Sequence, residues 1–272
     1  MKVAFTGANG FVGSYLRKNF IDNIVINRND TQEDILKKLE GVDIVINLAG
    51  APIIKRWSEA YKKILLTSRI ETTKKLVNAV NKSNVKHFIS TSAIGAYPDD
   101  GAYDESFTDY RDDFLAELTQ KWESEALKCT KPTAIIRFGV ILGSNGGALA
   151  QMLLPFKIGM GGIIGNGKMM MSWIDIEDLI GMYNHIVENK LTGVYNATSP
   201  YPVSNYTFTK SLANILHRPS FLPLPEFVLK ILFGEGATVL TGSKEVYPKA
   251  IESSGYNFKY PTIDKSMQHL LI

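Results

Sequence analysis

The first residues able to do chemistry stand at the start of the chain. Lys2-Val3-Ala4-Phe5-Thr6 is a short, mostly apolar run, and Gly7-Ala8-Asn9-Gly10-Phe11-Val12-Gly13 follows it as G-x-x-G-x-x-G. Gly7 can take the backbone angles of a tight turn. Gly10 lets the main chain approach a pyrophosphate with no Cβ in the way, and Gly13 lets a following helix sit close to the strand. A helix opening there presents free N–H groups and the positive end of its dipole to phosphates. The pattern reads as a dinucleotide cradle formed by Gly7, Asn9, Gly10, Phe11, Val12 and Gly13. A second group bears on which dinucleotide is held. After the apolar run Ile24-Val25-Ile26 come Asn27, Arg28, Asn29 and Asp30. Binders of NAD usually place an acid at this strand end to hold the ribose 2′-hydroxyl. Here none stands there, and the Arg28 guanidinium suits a 2′-phosphate. NADP(H) is the preferred cofactor. The competing reading makes Arg28 an ordinary surface arginine and gives Asp30 the ribose of NAD(H).

These groups need a sheet to carry them. Apolar runs of strand length fall at residues 3–6, 24–27, 43–48, 87–91 and 133–138, with a late one at 193–198. Helical stretches lie between them at 13–20, 31–40, 59–81 and 114–128. Buried strands alternating with helices argue for an α/β fold, a doubly wound parallel sheet with helices on both faces. Ligands of such sheets bind at the carboxyl ends of the strands. Asn47-Leu48-Ala49-Gly50 and Ser90-Thr91-Ser92-Ala93 are two such ends, so Leu48, Ala49, Gly50 and Ser90 join Asn27 and Arg28 as expected cofactor contacts. Beyond about residue 140 glycine and proline become frequent, which reads as a smaller, less regular lobe. The expected division is a dinucleotide-binding domain over 1–150 and a substrate-side lobe over 151–272, with later segments returning to the sheet. Helices are expected there at 175–187, 205–216, 226–233 and 263–271.

The totals narrow the function classes. The chain has 272 residues, 45% hydrophobic and 21% charged, with a net charge of +3. Such a chain builds a sizeable core without staples. No long basic run suggests nucleic acid. No apolar run reaches membrane-spanning length, and no leader precedes the first strand, so a cytoplasmic protein is expected. Cys129, the single cysteine, excludes an internal disulfide. His87, His185, His217 and His269 are scattered without metal-ligand spacing, so no metal site is expected. Asp175 and Asp178 stand around a helix start and read as caps. Lys55-Arg56-Trp57 reads equally as a phosphate-and-ring subsite or as a loop anchored by a buried indole. The glycine-rich 159–167 reads as irregular turns or a lid, and Met169-Met170-Met171 as packing.

The glycine turn, Asn47-Leu48-Ala49-Gly50 and Ser90-Thr91-Ser92-Ala93 together resemble the extended short-chain dehydrogenase/reductases. More narrowly, the chain is similar to an atypical branch, the epimerase-family proteins with a C-terminal domain of unknown function. Lys55-Arg56-Trp57, Ser68-Arg69, Lys121-Trp122-Glu123, 155–162, 172–178 and His217-Arg218-Pro219 carry that narrower likeness across essentially the whole chain. The resemblance implies a Rossmann-type fold and NADP(H), with dimerisation through the Lys121 helix in many members, so a monomer or a homodimer is expected. It supplies no substrate.

Reductases of this kind use a tyrosine as proton relay and a lysine four residues on, which lowers the tyrosine's pKa and holds the nicotinamide ribose. A serine orients the carbonyl and an asparagine props the relay. By that resemblance Ser92 takes the serine position and Lys121 the lysine position. Glu117 stands where the tyrosine belongs, and Arg69 where the asparagine belongs. Three readings follow. Glu117, raised by burial, or Tyr97, reaching in from the loop after Ser92, supplies the proton. Alternatively the chemistry differs and Arg69 grips an anionic substrate. In the third, the chain binds NADP(H) without turnover, as a sensor. The leading expectation is an oxidoreductase or epimerase-like enzyme acting on a small polar molecule, a sugar or nucleotide sugar, with a non-standard relay.

Overall fold

The computed structural model describes residues 1–272. Its first half runs β1 (Val3–Thr6), α1 (Phe11–Asn19), β2 (Asn23–Val25), α2 (Gln32–Lys38), β3 (Ile44–Asn47), α3 (Glu59–Asn81), β4 (His87–Ala93), β5 (Gly101–Tyr103), α4 (Phe114–Ala126) and β6 (Thr133–Phe138). The second half runs β7 (Val140–Gly143), α5 (Gly147–Lys157), β8 (Gly162–Ile164), β9 (Met170–Met171), β10 (Trp173–Asp175), α6 (Ile176–Glu188), β11 (Gly193–Ala197), β12 (Val203–Ser204) and α7 (Asn205–Ile215). Beyond these lie β13 (Leu222–Leu224), α8 (Glu226–Phe233), α9 (Thr238–Thr241), β14 (Lys244–Val246), α10 (Lys249–Ser253) and α11 (Ile263–Leu271).

Six strands form one sheet in the order β2-β1-β3-β4-β6-β11, parallel throughout. The strand order reverses between β1 and β3, so a crevice opens over their carboxyl ends. β1 and β3 are buried at every position, as strands covered on both faces must be. One face packs Phe5, Ile46 and Ile136 against Leu16 of α1 and Leu179 and Tyr183 of α6. The other packs Val45, Phe88 and Ile135 against Ile35 of α2 and Leu76 and Val80 of α3. This is the doubly wound sheet expected from the alternation of strands and helices.

A separate core of Leu149, Trp173, Phe208, Leu212 and Met267 holds the lobe built from α5, α7 and α11. Residues beyond 150 also complete the main sheet, because β11 pairs with β6 and α6 covers it. The lobe is tied back a second time where β14 pairs with β5. The stretch after residue 140, expected to be less regular, is more ordered than that. It contains α5, opened by Gly146 and Gly147 and tolerating Pro155 in its last turn. No helix is long and apolar enough to cross a membrane.

Candidate functional site

The glycine turn sits over the β1/β3 crevice. Gly7 has φ +64°, and a Cβ on it would stand 2.5 Å from the Leu48 carbonyl oxygen, so turn and β3 loop are in contact. A Cβ on Gly13 would collide with the Gly7 carbonyl oxygen, so α1 packs against the turn as only glycine allows. Gly10 differs. A Cβ there would meet only the Gly7 carbonyl oxygen, at 3.2 Å, and its outer face is open and exposed. Gly10 is also the N-cap of α1 and offers no side-chain cap, whereas side chains of Thr31, Ser58, Asp113, Asp175 and Ser204 cap α2, α3, α4, α6 and α7. The first-turn N–H groups of α1 are thus left to a ligand, beside a surface that a side chain would fill. A pyrophosphate fits this cradle. Phe11 forms one wall, its ring lying where any Cβ on Gly143 or Gly146 would be. Val12 turns inward to the core.

At the end of β2, Asn27 and Arg28 are exposed. Asp30 is not free for a ribose. Its carboxylate accepts from the Asn27 backbone at 2.7 Å and pairs with Lys38 at 2.5 Å, while Lys75 bonds its carbonyl oxygen. Burial opposes the charge on Asp30, but the Lys38 hydrogen bond and the Asn27 N–H leave its carboxyl below the usual range.

Beneath the crevice lies a buried polar network. Thr6 donates to Asn47 Oδ1 at 2.6 Å, and Asn47 Nδ2 donates to Thr73 at 2.8 Å and to Ser90 at 3.2 Å. Trp122 Nε1 donates to the same Thr73 hydroxyl at 2.9 Å. Ser90 is fully buried within this network, which corrects its expected place as a cofactor contact.

Helix α4 has a different register from the one expected of its Glu117–Lys121 pair. Its buried face carries Leu115, Leu118, Thr119, Trp122 and Ala126. Glu117 and Lys121 lie about 200° around the helix from Leu115 and Thr119. They pair with each other on the solvent side, their side chains 54% and 55% exposed. The i, i+4 pair turned inward is Thr119 and Glu123. The expected roles of Lys121 and Glu117 at the ligand are therefore corrected.

Ser92 does reach a carboxylate, but that of Glu123, donating to it at 2.5 Å. Arg137 of β6 grips Glu123 with Nε and Nη2, both at 2.8 Å. It also donates to the hydroxyls of Tyr97 at 2.7 Å and Tyr110 at 2.6 Å. Burial works against the Arg137 charge, and the Glu123 hydrogen bonds and charge outweigh it, holding the guanidinium firmly protonated. Tyr97 is fully buried, bonded to Asn196 and stacked on Tyr103, and burial pushes its phenol up. It props Arg137 rather than reaching in to a ligand, which corrects its expected role as well. Glu123, Arg137 and Tyr110 were not expected from the sequence. The available signal was an arginine inside the apolar run Thr133–Phe138.

Arg69 presents the contrasting guanidinium. It lies 5.2 Å over the Trp122 ring and donates to the carbonyl oxygens of Ala51 at 3.0 Å and Leu65 at 3.4 Å. A Cβ on exposed Gly50 would stand 3.0 Å from its Cζ. Burial pushes the Arg69 guanidinium down to about 10, with the Tyr61 phenol as the one group offsetting it. No carboxylate pairs with it.

The remaining features resolve as structure. Trp57 is buried, donates its indole N–H to the Ile53 carbonyl oxygen at 2.9 Å and its backbone N–H to the Phe233 carbonyl oxygen at the end of α8 at 3.2 Å, so Lys55-Arg56-Trp57 is an anchored loop. Asp175 caps α6 as expected. Asp178 instead accepts from the Lys259 and Tyr260 N–H groups and the Tyr256 hydroxyl, tying down the approach to α11.

Residues 3–198 match the model of the NAD dependent epimerase/dehydratase family, and residues 224–270 match a domain of unknown function, DUF1731. The chain is 35% identical over 302 residues to the epimerase family protein SDR39U1 homolog, chloroplastic, of Arabidopsis thaliana, covering 100% of this chain and 87% of that protein. It is 32% identical over 298 residues to the epimerase family protein YfhF of Bacillus subtilis, covering 100% and 98%. Among solved structures, the human epimerase family protein SDR39U1 (isoform 2) with NADPH superposes with a TM-score of 0.91 at 32% identity, over 99% of each chain. A nucleoside-diphosphate sugar epimerase from Corynebacterium glutamicum gives 0.80 at 29% identity, over 100% of this chain and 58% of that one.

Proposed function

The chain belongs to the NAD dependent epimerase/dehydratase family, and on that premise we propose that it binds NADP(H) and acts as an atypical reductase or epimerase-like enzyme on a small polar substrate of the sugar or nucleotide-sugar class. One observation carries the cofactor half of this reading. The open face of Gly10 and the uncapped first turn of α1 stand beside a β2 end where Asp30 is already bound and Arg28 is free. The human relative determined with NADPH supports the same choice.

NADP(H), when bound, supplies or accepts the hydride. In this reading Gly7, Gly10 and Gly13 shape the pyrophosphate seat, Leu48, Ala49 and Gly50 border it, and Asn9, Asn27 and Arg28 face the adenosine end. The proton path runs through Ser92 to Glu123 in place of a tyrosine and lysine. With its proton donated to Glu123, the Ser92 oxygen can accept from a substrate hydroxyl, and the carboxylate behind it takes the proton on oxidation. Arg137 sets the position of that carboxylate and weakens it as a base.

A second reading, a cofactor-binding protein without turnover, has its own support. Ser92 is 1% exposed, and no phenol or amine stands on the inner face of α4. Assay of NADPH oxidation against carbonyl and nucleotide-sugar panels separates the two. The enzyme reading expects turnover that is lost in Ser92→Ala and kept in Lys121→Ala. NADPH binding without turnover on any panel supports the sensor.

A further inference from the structure

Besides the exposed Arg28 at the end of β2, two arginines line the carboxyl end of this sheet, and only one of those two has its charge answered. Arg137 is held by both oxygens of Glu123. Arg69 is partly withdrawn from solvent, stands 5.2 Å over the Trp122 ring and is bonded only to neutral carbonyl oxygens. Taking a guanidinium out of water without an anion is unfavourable, and backbone carbonyls and an indole face compensate in part. The side chain is also fixed in place, since α3 holds its stem while the Trp122 indole is anchored on Thr73. The approach is open, because Gly50 is exposed and lacks the Cβ that would cover the guanidinium. A rigid, charge-unpaired cation under a glycine window is the arrangement that receives an anion.

We infer that Arg69 is an anion-binding residue of the cleft, taking a phosphate or carboxylate oxygen that enters over Gly50. The inference rests on the reading of this cleft as the ligand site. Two sources could supply that anion: the pyrophosphate of the cofactor, since the Gly7 turn touches Leu48 only two residues before Gly50, or an acidic group on the substrate. Both present the same chemistry to the guanidinium, and separate arms of one experiment distinguish them.

Wild-type protein, Arg69→Gln and Arg69→Lys are first matched for thermal melting and then titrated by intrinsic tryptophan fluorescence. The probes are NADPH, inorganic pyrophosphate, and D-glucuronate with D-glucose as its uncharged control. The sugars are offered to both cofactor-free and NADPH-loaded protein. The claim expects Arg69→Gln to weaken at least one anion about tenfold or more, with Arg69→Lys retaining part of the affinity and D-glucose indifferent. Loss of pyrophosphate and NADPH together assigns the anion to the cofactor. Loss of D-glucuronate with NADPH unchanged assigns it to the substrate. The inference is overturned if Arg69→Gln leaves every anion within twofold of wild type, or if the wild type binds no anion. Failure of the wild type to bind NADPH while pyrophosphate or D-glucuronate still depends on Arg69 would instead remove the cofactor reading and leave this one standing.

Discussion

The two ends of the cleft are built on opposite plans. Over β1 and β3 the chain leaves its polar groups unspent. The first turn of α1 is uncapped, Arg28 is exposed and Arg69 has no carboxylate. Over β4 and β6 the groups satisfy one another: Ser92 on Glu123, Glu123 on Arg137, and Arg137 on Tyr97 and Tyr110. A group already paired within the protein must give up that partner to serve a ligand, whereas a free one need not. The first end is therefore built to bind. Any chemistry at the second must pass through a network whose proton acceptor is already engaged by a guanidinium.

Substitutions can break this contrast. The largest effect on cofactor binding is expected at Gly13. A valine there meets the Gly7 carbonyl oxygen and the Ala8 backbone, so the turn must move. We expect Gly13→Val to cost about 2–3 kcal/mol of stability and to abolish NADPH binding, read by urea denaturation and cofactor titration. At the other end, Glu123→Gln leaves the buried Arg137 without its anion. It should destabilise the fold by about 3 kcal/mol while leaving NADPH affinity nearly unchanged. If it weakened the cofactor as much as Gly13→Val, the two ends would not be separate.

A control lies at the opposite, amino-terminal end of the strands. His87 opens β4, is 3% exposed, and neither ring nitrogen has a hydrogen-bond partner. Burial holds its imidazole below the ordinary value, so the unfolded chain takes up the proton first. Stability is thus kept above about pH 6.5 and lost as the pH falls from there through the folded-state value. Urea midpoints measured across that range should fall more steeply for wild type than for His87→Leu, with NADPH affinity at neutral pH unchanged. The smallest effect is expected for Lys121→Ala, within about 0.5 kcal/mol and without change in cofactor affinity.

The difference between the ends also explains what could be read from the residues alone. Glycines Gly7, Gly10 and Gly13 act through backbone shape, so their spacing carries their meaning wherever a strand precedes and a helix follows. The strand ends at Asn47 and Ser92 were legible for the same reason, being the ends of apolar runs. On α4 the same i, i+4 spacing describes both Glu117–Lys121 and Thr119–Glu123. Only the buried stripe of Leu115, Leu118, Trp122 and Ala126 decides which pair faces the sheet. Partners such as Arg137 for Glu123, or Lys259 and Tyr260 for Asp178, lie 14 to 82 residues apart and leave no local trace. α5 was obscured because the glycines that open it also resemble an irregular loop.

The measurement that bears most directly on the account is the ratio of NADPH to NADH affinity in wild type and in Arg28→Ala. With Asp30 withheld by Lys38 and Arg28 free at the end of β2, the wild type should favour NADPH by about tenfold or more, and the preference should collapse in the variant. Equal affinities in the wild type, or a preference that survives the loss of Arg28, would contradict it.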